Sequence, residues 1–161
     1  RFSGIGECGA EAIQGALALA RRLQRGDPID KPVMDSPQSV AKYMLSVIGH
    51  LRQEEFHALL LSAKNRLIKD CMITRGLVNS APIHAREVFR PAIQECCSRI
   101  ILAHNHPSGD PEPSPQDISS TNTLIDAGKL IGIEVLDHII IGKPSPGSPF
   151  WCSLLENGFF K

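Results

Sequence analysis

The chain has no hydrophobic run approaching the length of a membrane span, and nothing at its start resembles a signal peptide. It also lacks a charge excess: 17 basic and 17 acidic residues give a formal net charge of zero. Nucleic-acid binders usually carry basic surplus, so composition gives DNA no support as a partner, a local patch aside. Aromatics make up only 5% of the chain, which leaves Ile, Leu, Val and Ala to form the core. Five cysteines, at 8, 71, 96, 97 and 152, include a vicinal pair and no Cys-x-x-Cys. An odd count so scattered argues against a disulfide framework and against thiolate zinc ligation, and points to reduced thiols in a cytoplasmic protein. The same absence counts against the zinc nucleoside deaminases, which use a Pro-Cys-x-x-Cys after their first ligand. No Gly-Lys-Ser/Thr phosphate loop occurs.

What is present is a soluble globular composition, 42% hydrophobic and 21% charged, over 161 residues. The most informative stretch follows the apolar run Arg99-Ile100-Ile101-Leu102, which reads as a buried strand. Side chains alternate along a strand, so His104 and His106 emerge on one face, roughly 6–7 Å apart along it. Two imidazoles so placed can share one ion at a Zn–N length of about 2 Å. The chain then turns through Pro107, Gly109, Pro111 and Pro113 into a helix with a clear start: Ser114 at the N-cap, Pro115 first, Asp117 third. Asp117 can fold back toward the histidines as a third ligand. Three protein ligands leave a fourth position open, the mark of a catalytic zinc site. The plainer reading makes Ser114 a cap and Asp117 a partner of the helix dipole.

Around that loop the elements follow in order. An Ala- and Leu-rich helix is expected from about Cys8 to Arg25, and Gly26 to Asp35 reads as a linker. Ser36 caps a helix to about Ile48. Gln53 to Leu61 is a strand buried on both sides, and Ala63-Lys64-Asn65-Arg66 turns it into a second strand, Leu67 to Thr74. A helix ending near Cys97 contains Pro91, which predicts a kink there or a start only at that residue. After the Asp117 helix, stopped by Gly132, comes a strand from Ile133 to Ile141. The polar Asp137-His138 inside it reads as a satisfied core pair or as support for a metal ligand. Gly142 to Pro149 is a loop. The order predicts an α/β fold, a mixed sheet sandwiched by helices.

His104-Asn105-His106-Pro107, with Ser114 and Asp117 at their spacing, resembles the His-x-His-Pro…Ser-x-x-Asp core of the JAMM metalloproteases, the JAB/MPN fold. The run Ala103 to Pro111, with its Asn between the histidines, and Leu136-Asp137-His138-Ile139-Ile140-Ile141-Gly142 resemble more narrowly the bacterial RadC family. The resemblance implies a JAB/MPN, cytidine-deaminase-like architecture and a Zn²⁺ cofactor held by His104, His106 and Asp117. It implies hydrolysis of a peptide or isopeptide bond in a protein substrate, with Ser114 donating to the oxyanion. Matching the family's strand core to His57-Ala58-Leu59-Leu60 places the general base at Glu54, with Glu55 as runner-up. His84 and Arg86 then fall near the metal loop, or serve merely as cap and ion-pair partner, and Phe150 to Leu155 resembles the family's closing segment.

Phe2-Ser3-Gly4-Ile5-Gly6 and its helix resemble half of a helix-hairpin-helix module, whose helix start can meet DNA phosphates. The chain therefore divides as 1–30, an N-terminal helical remnant with linker, and 31–161, the metallohydrolase-like domain. The competing reading is a DNA-repair-associated accessory module with a vestigial or structural metal site.

Overall fold

The computed structural model describes residues 6, 9, 11–17, 31–76, 83–145 and 147–160. The chain divides into two compact units, Arg1–Lys31 and Pro32–Lys161. In the first, residues 11–17 are helical; Gly4-Ile5, the ends of the expected helix and the first half of the expected linker lie outside the described residues.

The second unit carries the sheet. Ser36 caps α1 (Pro37–Ile48) through a capping box completed by the Ser39 side chain. β1 (Glu55–Leu61) and β2 (Leu67–Arg75) form the expected hairpin. Asn65 turns it with a φ of 54°, a left-handed conformation that Asn tolerates well. α2 (Ala85–Gln94), β3 (Arg99–Asn105), α3 (Pro115–Ile131), β4 (Glu134–Ile141) and the short β5 (Trp151–Ser153) complete the unit. The strand order is β2-β1-β3-β4-β5, with β3 and β4 parallel and every other neighbouring pair antiparallel. Gly4, Gly6 and Gly9 have Gly-x-Gly-x-x-Gly spacing, but no strand of this sheet leads into them, as a dinucleotide loop requires.

Alternation along the strands sorts the core into two layers. Leu59, Leu61, Ile101, Ala103, Ile139 and Ile141 pack beneath Val40, Met44 and Ile48 of α1. On the opposite face Phe56, Ala58, Leu60, Ile100 and Leu102 meet Val88 and Phe89 of α2 and Leu124 of α3. All seven residues of β1 are buried, as a strand covered on both faces must be.

Two boundaries differ from those read in the sequence. β1 begins at Glu55 rather than Gln53, because its neighbours stop pairing there. α2 begins at Ala85 and runs through Pro91, although proline supplies no N–H to the turn before it. An amphipathic face buried at Val88, Phe89 and Ala92 outweighs that missing bond.

Candidate metal centre

The centre forms where β3 runs out and α3 begins. His104, the penultimate residue of β3, is fully buried, and its ring stacks on Phe56 of the neighbouring strand at 6.0 Å between centroids. His106 continues the parallel pairing, its N–H donating to the Ile141 carbonyl at 2.8 Å. The following loop is stitched to the end of β4: Lys143 N–H donates to the Gly109 carbonyl (2.9 Å) and Lys143 Nζ to the Pro107 carbonyl (2.7 Å). Gly142 is required at that seam, since a Cβ there would collide with the Gly109 carbonyl and lie 2.9 Å from Pro111 Cδ.

At the start of α3, Ser114 Oγ accepts the Asp117 N–H (3.2 Å), while the Asp117 carboxylate accepts the Ser114 N–H (2.8 Å). This capping box swings Asp117 back over the histidines. His104 Nε2 and His106 Nε2 lie 2.9 Å apart, and Asp117 Oδ1 and Oδ2 lie 3.5 and 3.6 Å from them respectively. Tetrahedral ligands at about 2.0 Å from a zinc ion stand about 3.3 Å from one another. The observed separations bracket that value.

Proton positions support the same conclusion. His106 Nδ1–H donates to the Asp110 carbonyl at 2.7 Å, which leaves the Nε2 lone pair facing the cluster. The Thr121 hydroxyl donates to the Asp117 carbonyl (2.6 Å), so at its 2.6 Å contact with His138 Nδ1 it accepts. His138 is buried, which holds its pKa well below 6.5 and keeps the ring neutral; its Nε2 therefore accepts from His104 Nδ1–H at 2.8 Å. His104, pushed down to about 4 chiefly by burial, is neutral as well and presents a bare Nε2. With both rings neutral and protonated at Nδ1, two imidazole lone pairs and a carboxylate converge, a donor set for a cation. His104, His106 and Asp117 form the cluster of metal-competent side chains among the described residues, their ligand atoms all within 4.8 Å of one another.

Asp117 is opposed by burial but held well below the usual carboxylate range by His106, His104 and Ser114. His106 is raised above 6.5, mainly by its pairing with Asp117 and against burial. Glu54, half-buried just before β1, is pushed up to about 7 by desolvation, with His106 pulling it down and Asp117 adding to the rise. Glu55 faces the α1 side instead. Its carboxylate pairs with Arg75 Nε (2.6 Å) and His57 Nε2 (3.1 Å), away from the cluster. Ser114 Oγ donates its proton to Asp117 Oδ2 at 2.6 Å, so an oxyanion would have to compete with that carboxylate for it. Arg86 pairs with Glu87 (3.2 Å), and His84 sits at the N-cap of α2 without capping it; no hydrogen bond or ion pair joins either to the cluster. Thr121 was not singled out in the sequence. Its only signal is its place one turn after Asp117 on the same helix.

A family model described as a RadC-like JAB domain matches residues 34–159, nearly the whole of the sheet unit, His104, His106 and Asp117 included. The chain belongs to the RadC-like JAB domain family. A UPF0758 protein of Shouchella clausii is 44% identical over 160 residues, covering 99% of this chain and 67% of the relative. One from Desulfitobacterium hafniense is 44% identical over 142 residues, covering 88% of this chain and 63% of the relative. One from Methanosarcina mazei is 40% identical over 161 residues, with 68% of the relative covered. The chain thus spans about two thirds of the length of these relatives. Their names state no activity, so the chemistry of the RadC-like domain is argued from its site.

Proposed function

We propose that this RadC-like domain is a zinc-dependent hydrolase of peptide or isopeptide bonds, of the JAMM type. The carrying observation is the convergence of His104 Nε2, His106 Nε2 and the Asp117 carboxylate at 2.9–3.6 Å, with both imidazole protons directed away. His104, His106 and Asp117 would hold Zn²⁺, which polarises a carbonyl and lowers the pKa of water toward about 7.

The chain's own groups supply the proton transfers. Glu54, with a carboxyl raised to about 7, is matched to a neutral-pH general base. It takes a proton from the attacking water and returns it to the leaving amine. Ser114 turns its hydroxyl from Asp117 to the oxyanion as negative charge grows there. His138 and Thr121 keep the His104 proton on Nδ1, away from the cation. A groove of about 420 Å³ runs between Asp110–Pro113 of the loop that follows His106 and Trp151 of β5.

The test is digestion of a peptide library, including Lys-linked isopeptides, by zinc-loaded protein. Cleavage that requires zinc and disappears in Glu54→Gln supports the reading. A fully zinc-loaded protein that cleaves nothing, yet binds DNA equally well after zinc removal, would favour the accessory-module alternative.

A further inference from the structure

A general base works only if the backbone beneath it is fixed relative to the ligands. Glu54 lies one residue before β1, at a point where the backbone ladder to β3 has already ended: its last pair is Phe56 with His104. One residue further along β3 stands Asn105, buried to 2% exposure, between the two histidine ligands. Its side chain takes over where the ladder stops. Oδ1 accepts the Glu55 N–H at 2.9 Å, and Nδ2 donates to the Gln53 carbonyl at 3.1 Å. A backbone N–H only donates and a carbonyl only accepts, so these two partners fix the orientation of the amide. The Glu54 carbonyl in turn accepts the Gly76 N–H at 2.8 Å. Three consecutive residues are thereby held by their main chain, two of them by one side chain.

The neighbouring carboxylate closes off the other arrangement. Glu55 is bound to Arg75 and His57 on the α1 face, and alternation sends Glu54 to the face of His104. No other type of side chain supplies a neutral donor and acceptor in one short planar fork, the pair that bridging residues 53 and 55 demands. We propose that Asn105 is the positioning residue for Glu54. It clamps the chain on both sides of the general base and refers that base to the strand end that carries His104 and His106. The inference rests on the reading of Glu54 as general base and deepens it: the ligands and the base share one rigid reference, with Asn105 at its centre.

The experiment uses the full chain, ¹⁵N-labelled, with Co²⁺ alone as the probe in the metal site. Paramagnetic shifts of the Gln53, Glu54 and Glu55 amides report where the base stands relative to the metal, which a merely structural role for Asn105 would not move. Asn105→Ala removes both arms. The expected result is Co²⁺ affinity within about tenfold of wild type, the mild end of losses seen when support of a ligand is disturbed. The paramagnetic shifts at 53–55 should move, and Glu55 amide exchange should quicken by at least about tenfold, while Leu59 and Leu60 in the centre of β1 stay protected. Asn105→Asp keeps the acceptor for Glu55 N–H but sets an oxygen against the Gln53 carbonyl. It should preserve Glu55 protection while displacing Gln53 and Glu54, and it carries the test if the alanine variant does not fold. Unchanged shifts and unchanged exchange in both variants would overturn the clamp. So would a hundredfold or larger loss of Co²⁺ with the 53–55 backbone still protected, since Asn105 would then serve the ligands instead. Failure of the wild type to bind Co²⁺ would sink the metal reading separately, and Glu55 exchange in the metal-free variants would still decide the clamp.

Discussion

Replacing His138 with leucine isolates how the fold prepares one ligand. His138 is 1% exposed and makes two short contacts, accepting from His104 Nδ1–H (2.8 Å) and donating to Thr121 Oγ1 (2.6 Å). Leucine fills similar space with no polar atom, leaving the His104 N–H buried without an acceptor. A buried donor so stranded costs about 1–3 kcal/mol. The Thr121 hydroxyl keeps its bond to the Asp117 carbonyl, so its loss is smaller. The second effect is on the metal. With no acceptor at Nδ1, the His104 proton is free to move to Nε2, the atom that faces the cluster. Restoring the binding tautomer then falls to the cation, and zinc affinity should drop about 10–100-fold, or roughly 1.4–2.7 kcal/mol. Chelator competition at pH 7 measures the affinity, and urea unfolding of the metal-free protein measures the stability. His138→Gln, whose side-chain carbonyl can accept in place of Nε2, should recover most of the affinity. A folded His138→Leu protein with wild-type zinc affinity would refute the tautomer argument.

Glu54→Gln should keep zinc and lower hydrolysis by about 10²–10⁴-fold, read as turnover on whichever peptide the library identifies. Carbon-13 NMR of metal-free protein should find the Glu54 carboxyl near 7, falling when zinc is added; a value of 4.5 in both states would remove the desolvation that makes it a base. Ser114→Asp preserves the cap but cannot donate to an oxyanion, so it should fold and turn over poorly; full turnover in a zinc-loaded sample would leave Ser114 as a cap alone. His57 is opposed by burial yet raised above 6.5 by Asp70 and Glu55, so its contribution to stability is complete below its unfolded pKa and lost as pH rises through the folded one. Asp70→Asn should therefore flatten the fall in urea midpoint as pH rises above about 6.5, and an unchanged slope would contradict the pairing.

The parts of this site legible in the sequence are those with local grammar. Ser114-Pro115-x-Asp117 announces a capped helix, and the box it forms is what delivers the Asp117 carboxylate. His104 and His106 announce a shared face by their spacing. Glu54 against Glu55 could not be decided by periodicity alone: alternation sends the two to opposite faces, but the sequence does not say which face the histidines share. There the matched strand core carried the assignment, and the structure turns Glu55 toward Arg75 and His57. Contacts between residues far apart in the chain left no local trace. Thr121 meets His138, Asn105 spans Gln53 and Glu55, and Gly142 lies under the Gly109 carbonyl only once β3 and β4 pair in parallel. Of the two readings of Pro91, the late helix start is overturned: α2 is already formed from Ala85, with Val88, Phe89 and Ala92 buried along it.

Metal content is the most direct measure of the central claim. Protein stripped with chelator, dialysed to equilibrium against micromolar zinc and analysed by mass spectrometry should hold one zinc per chain. His104→Ala, His106→Ala and Asp117→Ala should each fall to the background of the dialysis buffer. Stoichiometric zinc retained at wild-type affinity in all three variants, or no zinc in the wild type, would contradict the account.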